Sequence, residues 1–326
     1  MSGEPLLEVR GLSVTLRSGG RVVHAVRHCA LDIHGGEVLA LVGESGSGKT
    51  TLARAIAGIV SVTGGGIRFR SQDLAAARPA VRRALRRRIQ MVFQDPDASL
   101  NPMHRIGSIL AEPLRVIGFG DHAAIRDRIG ELLSMVRLDA SLLDKKPRQL
   151  SGGEKQRIAI ARALAMQPDL LIADEPLSSL DVSTQAAIAA LFRDLQRRLR
   201  IGMLFISHDL AAVRQLADRV AVMYAGELVE TGSCGEVLDT PAHPYTRLLL
   251  AAMPDLRRRQ LDLRLVDAID RLEVLPDRPQ ACHYRPRCIC RAEVCLASAE
   301  LAPVRADRDH LARCHFRGNL PAAFPS

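Results

Sequence analysis

The sequence has no tryptophan, and Phe, Tyr and Trp together supply only 3% of its 326 residues. Its core must therefore be packed mainly from Leu, Ile, Val and Ala. Long apolar runs are also missing. Stretches such as "MLFIS" and "LLLAAM" fall far short of the ~18 residues that suggest a membrane-spanning helix. The opening "MSGEPLLEVRGL" has no basic segment followed by an apolar one. A signal peptide is therefore not expected, and a soluble cytoplasmic chain is. Acidic charge is in deficit, with 36 Asp and Glu against 45 Lys and Arg, and the formal net charge is +9. A basic balance suits nucleic acid, phosphate ligands or an anionic membrane surface, and it is equally common in Arg-rich proteomes. The length allows one large domain with a small appendage.

What is present begins with "EVLALVGESGSGKTTLARAIAGI", Glu37 to Ile59. An apolar run reads as a buried strand, turns through Gly43, Gly46 and Gly48, and continues as an Ala-rich helix. Gly43, Gly48, Lys49 and Thr50 fit G-x-x-x-x-G-K-[ST] in that strand-to-helix setting. The glycines let successive N–H groups, with Ser45 and Thr51 in the same loop, curl around phosphate oxygens, and the helix N-terminus adds partial positive charge. Lys49 is expected to reach the β- and γ-phosphates of ATP, and Thr50 to offer its hydroxyl to Mg²⁺. Further on, "PDLLIADEP" runs an apolar strand into Asp174 and Glu175. Asp174 is expected to serve Mg²⁺, and Glu175 to orient or deprotonate the attacking water.

"LSGGEKQRIAIARAL", Leu150 to Leu164, sets Ser151, Gly152 and Gly153 just before a helix, a second anion-binding helix start. Placed before the aspartate–glutamate strand end, it resembles the signature sequence of ABC-type ATPases. The other motifs of that family fall into order around it. Gln94 in "MVFQDP" resembles the Q-loop glutamine, "SSLD" (Ser178 to Asp181) the D-loop, and His208 in "LFISHD" the switch histidine. The resemblance covers about 6–232. It implies an α/β P-loop NTPase of the ABC-ATPase fold: a RecA-like core with an antiparallel β subdomain and a helical subdomain at about 95–165. The family also stacks adenine on an aromatic residue in its first β segment. Here Leu16 occupies that position, with His24 as the other candidate.

The resemblance further implies a mechanism. Two ATPase subunits dimerise head to tail, so a second copy or a paralogue is required. Lys49, Thr50, Asp174, Glu175, Gln94 and His208 serve one nucleotide, with Thr50, Gln94 and Asp174 around Mg²⁺. Ser151, Gly152 and Gly153 face the nucleotide of the other subunit. The stretch "DPDASLNPMHRIGSILAEPLRVIG" corresponds to the groove that receives a coupling helix from a membrane permease. The basic stretch "AVRRALRRRIQ", Ala80 to Gln90, reads as a solvated helix face rather than a nucleic-acid patch.

The boundaries expected are an ATPase domain over 1–240 and a C-terminal extension over 241–326. "PAHPYTRLLLAAMP" and "QDPDASLNP" are similar to segments of the oligopeptide, dipeptide and nickel importers. "RRRQLDLRLVDAIDRLEVLP" reads as a basic, partly amphipathic connector. The extension gathers five of the seven cysteines, and in reducing cytosol such a cluster points to metal or redox chemistry before disulfides. Cys282, Cys288, Cys295 and Cys314 follow C-x5-C-x6-C-x18-C. The same importer subfamily shows this pattern, and some members are associated with a [4Fe–4S] cluster, which takes one sulfur per iron. Zinc is the rival, although the spacing lacks its usual C-x2-4-C pairs; no metal at all is the third reading. Cys290 is surplus to the pattern. His283, His310 and His315 are alternative ligands or solvated histidines, and Cys29 and Cys234 read as small packing residues.

Three functions follow. The first is the ATP-hydrolysing subunit of a peptide-type importer, or of a nickel or other small-solute importer of that family. It would be peripheral on the cytoplasmic side of the inner membrane, docked on two permease subunits and served by an extracytoplasmic binding protein. The second is a non-transport ABC ATPase acting on nucleic acid, and the third an ATPase of a soluble complex such as phosphonate degradation. The long cysteine-bearing tail favours the importer, without nucleic acid as a partner.

Overall fold

The computed structural model describes residues 4–18, 21–251, 280–305 and 309–320. The connector read at 257–276 and Pro254 lie outside the described residues. In chain order the strands and helices are β1 (Leu7–Ser18), β2 (Arg21–Ile33), β3 (Val38–Val42), α1 (Lys49–Ile56), β4 (Gly64–Phe69), β5 (Gln72–Asp73), α2 (Pro79–Arg87), β6 (Ile89–Val92), α3 (Pro96–Ser99), α4 (Ile106–Ile117), α5 (His122–Met135), α6 (Gly152–Ala165), β7 (Leu170–Asp174), α7 (Val182–Leu199), β8 (Gly202–Ile206), α8 (Leu210–Leu216), β9 (Arg219–Tyr224), β10 (Glu227–Ser233), α9 (Cys234–Asp239), α10 (Pro244–Ala251), β11 (Ala302–Pro303) and β12 (Leu311–Ala312).

Two sheets organise these elements. The larger runs β11-β12-β10-β9-β3-β8-β7-β6, and the smaller, antiparallel, runs β2-β1-β4-β5. The strands from β6 to β9 in the larger sheet are parallel, and β10, β12 and β11 continue it in antiparallel steps. The parallel strands are mostly apolar because both faces are covered, with Gln90, Asp174 and Arg219 the polar exceptions. Alternation along each strand divides the side chains between two cores. Val38, Ala40 and Val42 of β3, Leu171 and Ala173 of β7, and Met203 and Phe205 of β8 face the core shared with α4, α5 and α6. Leu39 and Leu41, Leu170 and Ile172, and Leu204 and Ile206 face the other, closed by α1 and the antiparallel sheet. Helix α2, with six arginines among residues 78–88, buries no side chain, which fits the solvated reading of that stretch.

The C-terminal region is woven into this frame. β12 pairs with β10, Glu230 opposite Ala312 and Thr231 opposite Leu311, and so adds to the main sheet. Its Tyr284, Cys288 and Cys290 belong to the core of the parallel sheet. His283 and His310 are not solvated, contrary to one reading of the sequence. His283 Nδ1 lies 2.9 Å from Glu227 Oε2, and buried His310 Nε2 lies 2.7 Å from Glu230 Oε1. Each has a carboxylate of β10 as partner, which compensates the loss of water. Glu230 also accepts the N–H groups of Ala242 (2.7 Å) and His243 (2.9 Å), tying the start of the extension to the sheet edge.

Candidate functional site

The phosphate loop hangs between β3 and α1. At Gly43 (φ 149°) and Gly48 (φ 106°) the backbone takes conformations that L side chains rarely adopt. A Cβ at Gly43 would run into the carbonyl oxygen of Met223, and one at Gly48 into that of Ala25. Ser45 and Gly46 are exposed at the tip, and Thr51 is half-buried in the first turn of α1. No side chain caps α1, so its first N–H groups are left for a ligand. Buried Lys49 directs Nζ to the carbonyls of Gly43 (2.9 Å) and Glu44 (2.8 Å), with Ser47 Oγ at 3.4 Å. Burial lowers its pKa, against the upward pull of Glu175, Asp174 and Glu44.

The ends of the neighbouring strands supply the carboxylates. Asp174 closes β7, is buried, and accepts a hydrogen bond from Thr50 Oγ1 at 2.9 Å. Burial raises its pKa, while Thr50 and Arg54 oppose the rise. Glu175 follows with φ 46°, a left-handed conformation that costs a non-glycine residue ~1–3 kcal/mol and is tolerated chiefly at functional sites. Its N–H donates to the Ile206 carbonyl at 3.0 Å. Its Oε2 meets Gln94 Nε2 at 3.3 Å and His208 Nδ1 at 3.4 Å. Gln94 lies beyond β6 and His208 beyond β8, so three parallel strands deliver these groups to one crevice at their carboxyl ends.

The signature residues form a separate patch. Ser151 caps α6, with its Oγ accepting from Glu154 N–H at 3.3 Å and its own N–H donating to Glu154 Oε2 at 2.7 Å. Ser151 and Gly152 are exposed, and Gly153 sits tight against Thr184 of α7. Among the described residues no hydrogen bond joins Ser151, Gly152 or Gly153 to the phosphate loop of the same chain. Leu16 and His24 are exposed on β1 and β2, and His24 Nδ1 is 3.1 Å from Thr15 Oγ1.

Cys282, Cys288, Cys295 and Cys314 line one cavity, together with His243, Tyr284, Arg285, Arg313, His315 and Phe316. Burial pushes the thiols of Cys282, Cys288 and Cys314 up, that of Cys314 to about 11. Phe316 N–H donates to Cys314 Sγ at 3.4 Å. Cys290 is buried next to these but does not line the cavity. His315 lines it, with Nε2 at 2.9 Å from the Ala297 carbonyl. Among the described residues no three His, Cys, Asp or Glu side chains already stand in a metal-ligating arrangement. Four cysteines lining one cavity are the donor type that a thiolate-held group would need. Cys29 is fully buried and Cys234 half-buried, both in packing positions.

Three residues that no motif assigns a role also belong to the site. Glu44, directly after Gly43, gives its N–H to Tyr245 Oη at 2.7 Å and its carboxylate to Arg287. No motif assigns a role to Arg287, or to Tyr245 within the importer-like segment at 241–254. The one available signal was that a chain with three tyrosines carries two of them in the extension.

Comparison with known proteins agrees with this geometry. Residues 26–178 match the ABC transporter family, and residues 229–295 match the family described as oligopeptide/dipeptide transporter, C-terminal region. A protein of Brucella ovis named as a peptide import ATP-binding protein is 42% identical over 310 residues, covering 94% of this chain and 96% of that one. One of Brucella abortus with the same kind of name is 43% identical, covering 91% and 88%. An ATP-binding cassette solved as a dimer in a post-hydrolysis state with ADP and Pi has a TM-score of 0.64 at 28% identity, covering 70% of this chain and 98% of its own. The cbiO1 protein of Clostridium perfringens, part of the ABC transporter complex cbiONQ, also has a TM-score of 0.64, at 31% identity, covering 73% and 92%. The chain belongs to the ABC transporter family, among the ATP-binding proteins that carry the oligopeptide/dipeptide transporter C-terminal region.

Proposed function

We propose that this ABC ATPase energises import of peptides, with Glu175 as the group that activates water. The observation that carries the assignment is the convergence of Gln94 and His208 on Glu175, beside the Thr50–Asp174 pair and behind the phosphate loop. The peptide cargo is supported by the names of the relatives and by the matched C-terminal family.

Residue roles follow from the chemistry of phosphoryl transfer. The N–H groups between Gly43 and Thr51 cradle the phosphates of ATP, and Lys49 exchanges its loop carbonyls for phosphate oxygens. Thr50 and Asp174, already in contact, would hold Mg²⁺, with Gln94 beside them. The ion, when bound, neutralises charge on the β- and γ-oxygens. Glu175 takes a proton from the water whose oxygen bonds to the γ-phosphorus, while the bond from that phosphorus to the ADP oxygen breaks. His208 supports the γ-phosphate. Ser151 and Gly152, both exposed, and Gly153 beside them serve the nucleotide of a second ATPase subunit, either a copy or a paralogue. Among the described residues no helix is long and apolar enough to cross a membrane. The importer family of the C-terminal region supports a membrane path built by two permease subunits, with this chain peripheral on their cytoplasmic side and cargo arriving from an extracytoplasmic binding protein.

Glu175→Gln should bind ATP with near-normal affinity and hydrolyse it at least ~100-fold more slowly. Full turnover in that variant would remove Glu175 from its role. Peptide uptake by proteoliposomes containing the complete transporter tests the cargo, and uptake of metal ions or other solutes in its place would overturn it.

The four thiols around one cavity support a [4Fe–4S] cluster at Cys282, Cys288, Cys295 and Cys314, with Zn²⁺ as the alternative. Bound there, the cluster would brace short loops that have little regular structure of their own. Iron and acid-labile sulfide in equal amounts after anaerobic purification would support it. Zinc alone, or no metal, would sink it.

A further inference from the structure

In a chain so poor in aromatics, all three tyrosines meet in one place. Tyr224 ends β9, Tyr245 lies in the first turn of α10, and Tyr284 lies in the short turn between Cys282 and Cys288. Their ring centroids are 4.7 Å (Tyr224–Tyr245), 5.2 Å (Tyr224–Tyr284) and 5.5 Å (Tyr245–Tyr284) apart. Tyr245 is fully buried and Tyr284 nearly so. Such a cluster is rigid, because each ring is fixed by contacts on several sides.

Two polar groups reach from this cluster to the phosphate loop. Tyr245 Oη accepts the Glu44 N–H at 2.7 Å. Arg287, whose guanidinium lies 5.9 Å from the Tyr224 ring centre, donates Nη1 to Glu44 Oε2 at 2.8 Å and Nη2 to Oε1 at 3.0 Å. The two-pronged geometry fixes the carboxylate in orientation as well as in position. On its inner side, the Glu44 carbonyl accepts from Lys49 Nζ at 2.8 Å and from Ser47 N–H at 3.2 Å. Glu44 thus has its N–H and carboxylate committed to the C-terminal region and its carbonyl committed to the lysine of the loop.

We propose that Arg287 and Tyr245 are positioning residues for ATP: they hold Glu44, and through it the phosphate loop and the resting place of Lys49. Neither touches the nucleotide. The inference rests on the phosphate-loop reading given above. A Gly-rich loop pays conformational entropy when it closes on phosphates, and anchoring it beforehand strengthens binding by removing that cost. The Arg287–Glu44 pair is a poor device for overall stability, since both side chains are 41% exposed and such pairs contribute little to folding. Its effect should therefore appear in nucleotide affinity and hardly in melting temperature.

The experiment compares Arg287→Ala, Glu44→Ala, their double variant, Arg287→Lys, Tyr245→Phe and Lys49→Ala in the full-length chain. ATP affinity is measured by calorimetry, and KM and kcat are measured in the assembled transporter. Arg287→Ala and Glu44→Ala should each weaken ATP about fivefold in Kd and KM, with kcat changed less than twofold and melting temperature nearly unchanged. The double variant should be no weaker than either single one, because both remove the same contact. Arg287→Lys should regain part of the loss. Tyr245→Phe keeps the ring and loses only the hydroxyl, and should weaken ATP about threefold. Unchanged affinity in Arg287→Ala and Tyr245→Phe, or additive losses in the double variant, would overturn the proposal. Lys49→Ala separates the two failures. If it loses ATP binding while Arg287→Ala does not, only the positioning role fails; if it binds normally, the phosphate-loop reading fails first.

Discussion

The phosphate loop and the cysteine turn are both short irregular segments, yet they are held in opposite ways. The loop is shaped by backbone: Gly43 and Gly48 occupy conformations and spaces closed to side chains, and β3 and α1 fix its two ends. The cysteine turn is shaped by side chains. Beyond α10, the described part of the extension has no regular structure except single 3₁₀ turns and the two-residue strands β11 and β12. It is fastened instead by Tyr284, His283–Glu227 and His310–Glu230. One backbone-built site needs few residue types and leaves a motif. The other draws its fastenings from several places in the chain and leaves only a cysteine spacing.

The sharpest way to break this contrast is at the glycines. Gly48→Ala puts a methyl group against the Ala25 carbonyl in a backbone conformation that alanine resists. Turnover should fall at least ~100-fold, because a loop displaced by about 1 Å no longer fits the phosphates. ATP hydrolysis and binding measure it directly, and a circular dichroism spectrum unchanged from that of the parent would place the damage in the loop. Near-normal turnover would mean that backbone shape does not define this site.

That asymmetry explains what could be read beforehand. Lys49, Thr50, Asp174, Glu175, Gln94 and His208 stand at strand ends or in a strand-to-helix turn, so periodicity and motif place them together. The solvated face of α2 was legible for the same reason, since a run of arginines leaves nothing to bury. The tail was legible as an importer-like segment at 241–254 and as thiols, but not in its contacts. β12 has two residues, too few for an alternating pattern, and its place in the sheet depends on pairing with β10 across some eighty residues of chain. His283 and His310 looked solvated because their neighbours are basic. Their carboxylate partners lie on β10, more than fifty residues away. Tyr245, Arg287 and Glu44 are joined by tertiary contacts alone.

Glu230→Ala tests the side-chain fastening. It would leave the N–H groups of Ala242 and His243 and the ring of His310 without their buried acceptor. The expected cost is about 3 kcal/mol, a drop in melting temperature of roughly 4 °C for a chain of this size. Thermal unfolding checks it. A loss under about 1 kcal/mol would show that the extension is held mainly by packing.

The thiols offer a smaller and more selective test. Cys288 lines the cavity and Cys290, two residues on, does not. If the proposed metal site stands, Cys288→Ser should lose most of the bound iron or zinc and Cys290→Ser should keep it, as read by elemental analysis of anaerobically purified protein. Equal loss in both would make Cys290 a ligand and shift the site.

Acid titration separates the two regions by the least invasive change. Burial pushes the His243 pKa from its ordinary 6.5 down to about 3. The folded state then binds fewer protons than the unfolded one, so stability is lost as pH falls from 6.5 towards 3. On the cassette side, hydrogen bonds from Ser183 and Thr184 hold Asp181, the cap of α7, down at about 2. Its contribution is complete above the ordinary carboxylate value of ~3.9 and disappears only as pH falls through 2. Urea midpoints at pH 7, 5, 4, 3 and 2 should therefore decline already between pH 7 and 4 in the parent chain. His243→Phe, which keeps an apolar ring but cannot titrate, should flatten that slope even though it loses the acceptor for the Tyr245 N–H. Asp181→Asn should keep the parent's slope from pH 7 to 4 and approach the parent's stability only near pH 2. An unchanged slope in His243→Phe would show that this part of the acid sensitivity lies in the cassette rather than at its junction with the extension.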